Sequence, residues 1–146
     1  MSVELNTAAA TVAAGVEGLT QLLDENEVRV LAVLAEKEAS TPDSYPMSIN
    51  GIVNACNQLS SRDPIMSLTE SVVQKVLDDL AHKKLVSVIN QAGARVAKYE
   101  HRMRIKWMLE QERLAVLTIL MLRGFQTAGE IRLRAGRLYE FNSIAE

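Results

Sequence analysis

The stretch SLTESVVQKVLDDLAHKKLVSVINQAGARVAKYEH, residues 67–101, carries the pattern that decides the fold class of this chain. Ser67 and Glu70 have the S-x-x-E spacing of a capping box, so a helix is predicted to begin there. The apolar residues that follow recur at helical spacing and predict one buried face. They are Val72, Val73, Val76, Leu77 and Leu80.

Two strand-like segments follow this helix. Val86-Ser87-Val88-Ile89 forms the first, and residues 95–101 form the second. Gly93 lies between them and can adopt positive φ, so the pattern predicts a β-hairpin with a four- or five-residue loop. The alternation of a half-buried strand predicts that Val86 and Val88 face the core.

A further capped helix, predicted over residues 48–58, precedes the helix and hairpin. Helix, turn, helix and hairpin in this order are typical of a winged helix-turn-helix. The fold class predicted is therefore α+β and helix-rich. Winged helices mostly bind nucleic acid or other proteins, and they seldom carry out chemistry.

Composition predicts a compact soluble protein in the cytoplasm. The 146 residues are 48% hydrophobic and 23% charged, which is ordinary for a globular chain. The single cysteine excludes an internal disulfide. The first residues lack the basic region of a signal peptide, and no apolar run approaches the ~18 residues that a membrane span needs.

Charge is divided unevenly along the chain. Residues 1–80 hold four Lys/Arg against twelve Asp/Glu, a balance of −8. Residues 81–146 hold twelve Lys/Arg against six Asp/Glu, a balance of +6. The basic half could bind a polyanion, or the two halves could pair within or between molecules.

We divide the chain into four predicted segments. Residues 1–20 are Ala-rich and form a flexible or loosely docked N-terminal tail. Residues 21–101 form a first winged-helix domain, and residues 102–107 are a connector. Residues 108–146 form a partial second winged-helix domain.

The first helix of the first domain is predicted to begin at a second capping box, between Asp24 and Glu27. The proline-rich residues 41–46 then predict a non-helical connector, which could include a short strand. The predicted buried residues of this first helix are Val30, Leu31, Leu34 and Ala35.

The second domain shows the same kind of signals. Residues 114–122 are almost continuously apolar and predict a buried helix, which residues 123–124 end with a cation and a Gly suited to an αL cap. Residues 127–130 form another capping box. A final helix-start signal at residues 143–146 predicts that the third helix and hairpin of this unit are absent.

Several long motifs follow one another in a single order. They are EKE at residues 36–38, TPDSYP at 41–46, NACNQ at 54–58, SRDP at 61–64, RVAKYEH at 95–101 and LRGFQTAGE at 122–130. In these motifs the chain resembles the bacterial YceH family over about residues 22–141. The resemblance implies a tandem winged-helix fold and an essentially uncharacterised function. The chain departs from the family by stopping before the second recognition helix and wing.

The predicted third helix is poorly suited to the major groove of DNA. Gln74 and Lys75 could contact base edges. The acidic residues Glu70, Asp78 and Asp79 would face the same duplex and repel its phosphates. Conventional docking by this helix is therefore not expected, unless only its N-terminal end approaches.

A stripe of amide side chains lies on one face of the predicted second helix. Asparagine is a mediocre helix former, so the stripe calls for a reason. It could contact a partner, or it could bond to the connector at residues 41–46 and the turn at 60–64, which we favour. The four residues are Asn50, Asn54, Asn57 and Gln58.

The hairpin and connector carry the best candidates for polyanion binding. Their cations could contact several phosphates and give weak, salt-sensitive, sequence-independent binding to double-stranded DNA. The alternative is an ordinary solvated surface that the acidic half partly neutralises. The seven residues are Lys83, Lys84, Arg95, Lys98, Arg102, Arg104 and Lys106, and we expect Arg95 and Lys98 to be exposed.

Catalysis, metal binding and cofactors have little support in the sequence. Cys56 lies in an apolar stripe and is predicted to be a buried thiol. His82 and His101 lack the spacing of metal ligands. Arg62 is predicted to make local caps and ion pairs, and Trp107 to pack between the two units.

We therefore expect a non-enzymatic DNA-binding or regulatory module, with a protein-interaction module or assembly subunit as the alternative. Residues 128–146 are too few to cover the apolar helix of the second unit. We expect a homodimer there, unless residues 1–20 fold back over it. The predicted interface residues are Leu114, Leu117, Ile119 and Leu120.

Overall fold

The computed structural model of this chain describes residues 23–124 and 126–139, so the predicted tail at residues 1–20 lies outside the described part. The described residues form a mixed α+β, helix-rich structure with six α-helices and one antiparallel pair of strands. In chain order these are α1 (Glu25–Ser40), α2 (Ile49–Cys56), α3 (Glu70–His82), β1 (Val86–Ile89), β2 (Lys98–His101), α4 (Met103–Lys106), α5 (Gln111–Arg123) and α6 (Ala128–Ala135).

Helix α1 lies at the centre of the molecule. The Asp24 carboxylate accepts the backbone N–H of Glu27 at 2.8 Å, and the Glu27 carboxylate accepts the N–H of Asp24 at 3.0 Å, so the predicted capping box is confirmed. The predicted buried face is confirmed too, but burial extends over every residue from 30 to 35. This happens because α2, α3 and α5 all pack against α1.

The N-cap of helix α3 lies two residues later than predicted. The N-cap is Thr69, whose hydroxyl accepts the N–H of Val72 at 3.2 Å, so the predicted box from Ser67 to Glu70 is wrong. Thr69 is the N-cap because it directly precedes the helical repeat and its hydroxyl has the same capping chemistry as that of Ser67. Val72 lies at the edge of the apolar stripe and is exposed, whereas the other four predicted core residues are buried.

The hairpin is present, with Val86 opposite His101 and Ile89 opposite Lys98. Gly93 has φ +83°, as predicted, but the loop spans residues 90–97 and is longer than the predicted four or five residues. Residues 95–97 therefore belong to the loop and not to the second strand.

Val86 is buried, but Val88 is 45% exposed, so its predicted inward burial is wrong. Val88 lies toward the loop on β1, which pairs only with β2. Its cross-strand neighbour Tyr99 is buried because β2 also bridges to Met47 on its other side. The sheet is thus covered at β2 and open at β1.

Helix α5 packs along α1 and shares its core. Leu114 and Leu122 belong to the same apolar cluster as the residues of α1, α2 and α3. Ala115 and Ile119 join a smaller cluster that α6 completes with Ala135. The two predicted units are therefore in continuous apolar contact through α1, and Trp107, between them in sequence, packs half-buried on the main cluster.

The end of α5 and the start of α6 lie where the sequence predicted them. Thr127 and Glu130 form the predicted capping box, with hydrogen bonds of 3.1 Å in both directions. Gly124 ends α5 with the predicted positive φ, +78°, but its ψ of −154° places it outside the αL region.

Within the described residues, no single helix is long and apolar enough to cross a membrane, and α5 and α6 meet that requirement only when taken together as a bent pair.

Candidate functional site

A cleft of about 570 Å³ opens between the end of α3, strand β1 and helix α4. Three of the cations predicted to bind a polyanion line it: Lys84, Arg102 and Lys106. The described residues that line the cleft include no carboxylate. The remaining ones are Ala81, Val86, Ser87 and Ile105.

The end of α3 positions Lys84 at the rim of this cleft. The N–H of Lys84 donates to the carbonyl of Ala81 at 3.0 Å, and that of Leu85 donates to Leu80 at 2.9 Å. This is the hydrogen-bond pattern of a Schellman motif, with Leu85 buried and Lys84 in the left-handed position at φ +64°. Glycine usually occupies that position, because a side chain there costs roughly 1 kcal/mol or more.

The other two cations come from the far side of the hairpin. Arg102 directly follows β2, and its N–H donates to the carbonyl of Leu85 at 2.7 Å. Its guanidinium lies 4.0 Å from the carboxylate of Glu100. Lys106 is the exposed last residue of α4, and Arg102 is the N-cap of the same helix. The end of α3 and the segment after β2 therefore both bring positive charge to one cleft.

The remaining predicted cations are not part of the cleft lining. Lys83 pairs with Glu27 at 2.6 Å, and Arg104 pairs with Glu38 at 2.6 Å. Arg95 is exposed in the hairpin loop, as predicted, but Lys98 is only partly exposed because it lies within β2. Of the seven predicted residues, three therefore line the cleft, one lies in the hairpin loop, one lies within β2, and two form ion pairs with carboxylates of the chain.

The amide stripe is partly engaged inside the chain. The Asn57 side chain donates to the Leu68 carbonyl at 2.8 Å and accepts the Leu68 N–H at 2.7 Å. Gln58 donates to the Ser60 carbonyl at 2.9 Å. Gln58 thus makes the predicted contact with the turn at residues 60–64, but Asn57 bonds to Leu68, beyond that turn. Asn50 and Asn54 are exposed.

A buried ion pair that the sequence did not reveal joins α1 to the turn before α3. Arg62 binds the Glu36 carboxylate in bidentate fashion at 2.6 and 3.1 Å, and its Nε donates to the Ala55 carbonyl at 3.1 Å. The predicted local capping by Arg62 is confirmed at the Ala55 and Ser61 carbonyls, but its predicted local ion pair is wrong, because Glu36 is far away in sequence. Burial raises the pKa of Glu36, but the hydrogen bonds and charge of Arg62 outweigh it and hold the pKa below its ordinary value.

A second unpredicted cluster surrounds His101. Its ring is buried, its Nδ1 accepts the N–H of Met103 at 3.2 Å, and its Nε2 lies 2.8 Å from a Glu38 oxygen. Because Nδ1 is an acceptor, Nε2 carries the proton that bonds to Glu38. Arg104 binds the same carboxylate, so the cluster joins α1, β2 and α4.

Cys56 is fully buried in α2, as predicted, and burial raises the pKa of its thiol to about 12. Within residues 23–124 and 126–139 there is no group of three or more His, Cys, Asp or Glu side chains arranged to hold a metal ion.

A family model described as "Protein of unknown function, DUF480" matches residues 23–146. The chain belongs to the DUF480 family. It is 64% identical over 137 residues to a UPF0502 protein of Janthinobacterium sp. (strain Marseille), which covers 93% of this chain and 59% of the relative. The UPF0502 protein HEAR1280 of Herminiimonas arsenicoxydans is 65% identical over 125 residues, or 86% and 53% of the two chains.

A UPF0502 protein of Chromobacterium violaceum is 54% identical over 127 residues, which cover 87% of this chain and 58% of the relative. The predicted resemblance to an uncharacterised bacterial family is confirmed at this level. The chain spans between half and three fifths of the length of these relatives.

Helix α5 presents a second candidate interaction surface. Leu114 and Ile119 are buried against α1 and α6, so they do not lie on the surface and their assignment to a dimer interface is wrong. The face of α5 that points away from α1 forms a shallow groove of about 290 Å³. It is lined by Glu112, Arg113, Val116, Leu117 and Leu120.

Proposed function

We propose that this DUF480 chain is a non-enzymatic winged-helix module that binds the phosphate backbone of double-stranded DNA through the cleft of Lys84, Arg102 and Lys106. The observation that carries the proposal is the convergence of these three cations on one open cleft without a lining carboxylate among the described residues. Lysine and arginine side chains are the groups that most often contact the phosphates of a duplex, and each such contact adds to an affinity that does not depend on sequence.

The order of the elements supports the winged-helix assignment. Helices α1, α2 and α3 are followed directly by the β1–β2 hairpin, which is the wing in this interpretation. Helices α5 and α6 follow the hairpin as a second pair of helices, and they pack against each other as α1 and α2 do. We propose on this basis that the family is built from tandem winged helices.

Backbone strain at Lys84 also supports a role for this side chain. Glycine would end α3 at lower cost, yet the chain has a lysine at φ +64°. Strained residues of this kind cluster at functional sites. The residue held in this left-handed conformation is one of the three cations that line the cleft.

The polar face of α3 favours binding that does not depend on sequence. The Gln74 amide donates to Asp78 at 3.0 Å, and Lys75 pairs with Asp79 at 3.1 Å. The two residues best able to contact base edges are thus engaged with acids that repel phosphate. We expect a dissociation constant of ~10⁻⁴–10⁻⁶ M at physiological salt, with little preference among sequences.

A fluorescence anisotropy titration with a short labelled duplex tests this function. Replacing Lys84, Arg102 and Lys106 by Ala should weaken binding at low salt. It should also flatten the slope of log K against log salt by roughly 0.9 for each phosphate that the variant no longer neutralises.

Lys75→Ala is the matched control, because it removes one exposed cation from α3 and leaves the cleft intact. Its salt slope should equal that of the unmodified chain. A loss of affinity in Lys75→Ala alone would mean that α3 docks on DNA, and no binding by the unmodified chain at low salt would contradict the proposal.

The second candidate function is protein–protein assembly. The half-exposed apolar side chains of the α5 groove favour it, since exposed apolar patches commonly mark interaction sites. In this alternative the cations of the cleft are ordinary hydrated surface residues and bind no partner.

A further inference from the structure

Strand β1 has an open edge beside the cleft of cations. Among the described residues it pairs only with β2, whereas β2 is also bridged to Met47 on its other side. Val86 and Ser87 of β1 line the same cleft as the three cations of the proposed DNA contact. An open strand edge is a surface to which a further strand can add.

The register of the hairpin shows which backbone groups face this open edge. The N–H of Arg102 donates to the carbonyl of Leu85 at 2.7 Å, which makes these two residues a hydrogen-bonded pair at the start of the hairpin. Hydrogen-bonded pairs alternate with pairs that are not hydrogen-bonded in an antiparallel ladder, so the next hydrogen-bonded position of β1 is Ser87. The N–H and C=O groups of Val86 and Val88 therefore point away from β2.

Tyr99 supports the same alternation from the other strand. It lies opposite Val88, its N–H donates to the Met47 carbonyl at 2.8 Å, and its C=O accepts the Met47 N–H at 3.0 Å. The corresponding groups of Val86 and Val88 make no hydrogen bond to any residue that the structure describes. Each of these two residues thus offers one donor and one acceptor to a partner in extended conformation.

The side chains beside the edge differ between the two faces of the sheet. Ser87 lines the cleft together with its cations, and the described part of that lining includes no carboxylate. Val88 lies on the opposite face, since successive side chains of a strand alternate, and it is 45% exposed. A strand added here would place every second side chain near the cations and the others near Val88. Acidic residues suit the first set, and apolar residues suit the second.

We propose that the open edge of β1 binds an extended segment of another protein in which acidic and apolar residues alternate. The segment adds to the sheet antiparallel to β1, because the hairpin is itself antiparallel. Its apolar residues lie opposite Val86 and Val88 and exchange backbone hydrogen bonds with them. Its acidic side chains reach the three cations of the cleft.

A peptide suits this edge better than a nucleic acid does. A phosphate oxygen can accept an N–H, but it cannot donate to the carbonyls of Val86 and Val88. Only a backbone that carries donors and acceptors at the spacing of a strand satisfies both kinds of group. The segment uses the same cations as a duplex would, so it should exclude DNA from the cleft. This last consequence, unlike the binding itself, rests on the proposed function.

Fluorescence anisotropy with a labelled, end-blocked peptide of sequence EVEVEVE tests the binding. The peptide should bind the full chain with an affinity that falls as salt rises. Replacing Lys84, Arg102 and Lys106 by Ala should weaken it by roughly tenfold or more. The peptide KVKVKVK is the matched control of opposite charge. Equal binding of the two peptides, or no binding of EVEVEVE at low salt, overturns the proposal.

Backbone N-methylation of the peptide separates strand addition from simple attraction between charges. In the antiparallel register the N–H groups of the peptide's Val residues face β1, and those of its Glu residues face away. Methylating the Val nitrogens should weaken binding by roughly tenfold, because the donors to the Val86 and Val88 carbonyls are lost. Methylating as many Glu nitrogens should change the affinity by less than about threefold. Equal losses for the two methylated peptides overturn the strand addition.

Val88→Pro tests the same edge from the side of the protein. It removes an N–H that does not bond to β2, and proline is tolerated at such edge positions. Binding of EVEVEVE should weaken by roughly tenfold, and circular dichroism establishes whether the variant is folded. A folded Val88→Pro chain with unchanged affinity overturns the proposal. If the variant does not fold, the methylated peptides decide the question.

Competition distinguishes this inference from the proposed function. Unlabelled EVEVEVE should displace a labelled duplex from the chain, and simultaneous binding of duplex and peptide overturns the predicted exclusion. If the chain binds no duplex, the proposed function fails, whereas the peptide titrations still decide whether a strand adds to β1.

Discussion

Arg62 is the residue on which the turn before α3 depends. Its guanidinium binds both oxygens of Glu36 and also donates to a carbonyl of α2, so one side chain joins α1, α2 and the turn. Both side chains of the pair are almost completely buried. Removing one charge is therefore worse than removing both.

Arg62→Ala should lower the free energy of unfolding by roughly 3–5 kcal/mol, because it leaves the Glu36 carboxylate buried without its main partner. Lys37 and Arg137, at 3.4 and 3.9 Å from Glu36, keep the loss near the lower limit. Urea denaturation measures it. Glu36→Leu combined with Arg62→Met should recover most of the loss, and a loss below about 1 kcal/mol in Arg62→Ala would contradict the expectation.

Glu38 determines part of the response to acid. Burial raises the pKa of this carboxyl, but hydrogen bonds from His101 and Arg104 outweigh burial and lower the pKa below its ordinary value. A carboxyl whose pKa is lower in the folded state stabilises the fold above about pH 4, and the stabilisation is lost as pH falls through the folded-state value.

Glu38→Gln should therefore lower stability at neutral pH and flatten its decline below about pH 4. Urea denaturation at a series of pH values measures both effects. Asp43→Asn is the control, since Asp43 is exposed in the turn Pro42–Ser44 after α1. Equal acid slopes for Glu38→Gln and the unmodified chain would disprove the role of Glu38.

At the scale of elements, local signals in the sequence predicted most of the helices and the hairpin. Capping at Asp24 and Thr127 depends only on residues within one turn, so it can be read directly from the sequence. The start of α3 was misplaced because Ser67 and Thr69 both have capping chemistry. The short second strand and the Arg62 pair depend on tertiary packing, which periodicity does not encode.

The candidate site was less predictable than the elements. Seven cations were expected to act together, but Lys83 and Arg104 form ion pairs with carboxylates of α1. Sequence spacing predicts which cations are near the hairpin. It does not predict which carboxylates the fold brings beside them.

The end of α5 requires a glycine, and the start of α6 does not. Gly124→Ala should destabilise the chain by about 1–3 kcal/mol, because φ +78° with ψ −154° is almost exclusively a glycine conformation. Gly129→Ala should instead stabilise it by roughly 0.5–1 kcal/mol, since Gly129 is helical and has open space at its Cβ position. Thermal unfolding measures both, and equal signs for the two substitutions would contradict this account.

At the scale of the whole molecule, α1 is the helix on which the other long helices pack. Helices α2 and α3 pack on it together with α5, and Leu122 of α5 is fully buried in the main cluster. A core shared in this way predicts one cooperative unfolding transition across the predicted boundary at residues 102–107.

Leu122→Ala should lower the free energy of unfolding by roughly 2–5 kcal/mol. It should shift the transition seen by Trp107 fluorescence and that seen by far-ultraviolet circular dichroism to the same midpoint. Leu133→Ala, on the exposed face of α6, should move neither appreciably. Separate midpoints for the two probes would mean that α5 unfolds independently of α1.

The rate at which the buried thiol of Cys56 is labelled can measure how often the folded chain opens. A thiol-specific reagent cannot reach a side chain that is fully covered, and a pKa of about 12 leaves almost no thiolate at neutral pH. The labelling rate at low reagent concentration should therefore follow the population of opened molecules, and at high concentration the rate of opening itself. A cysteine introduced at exposed Asn54 could carry a dye while Cys56 stays unlabelled, so dye attachment needs no substitution in the core.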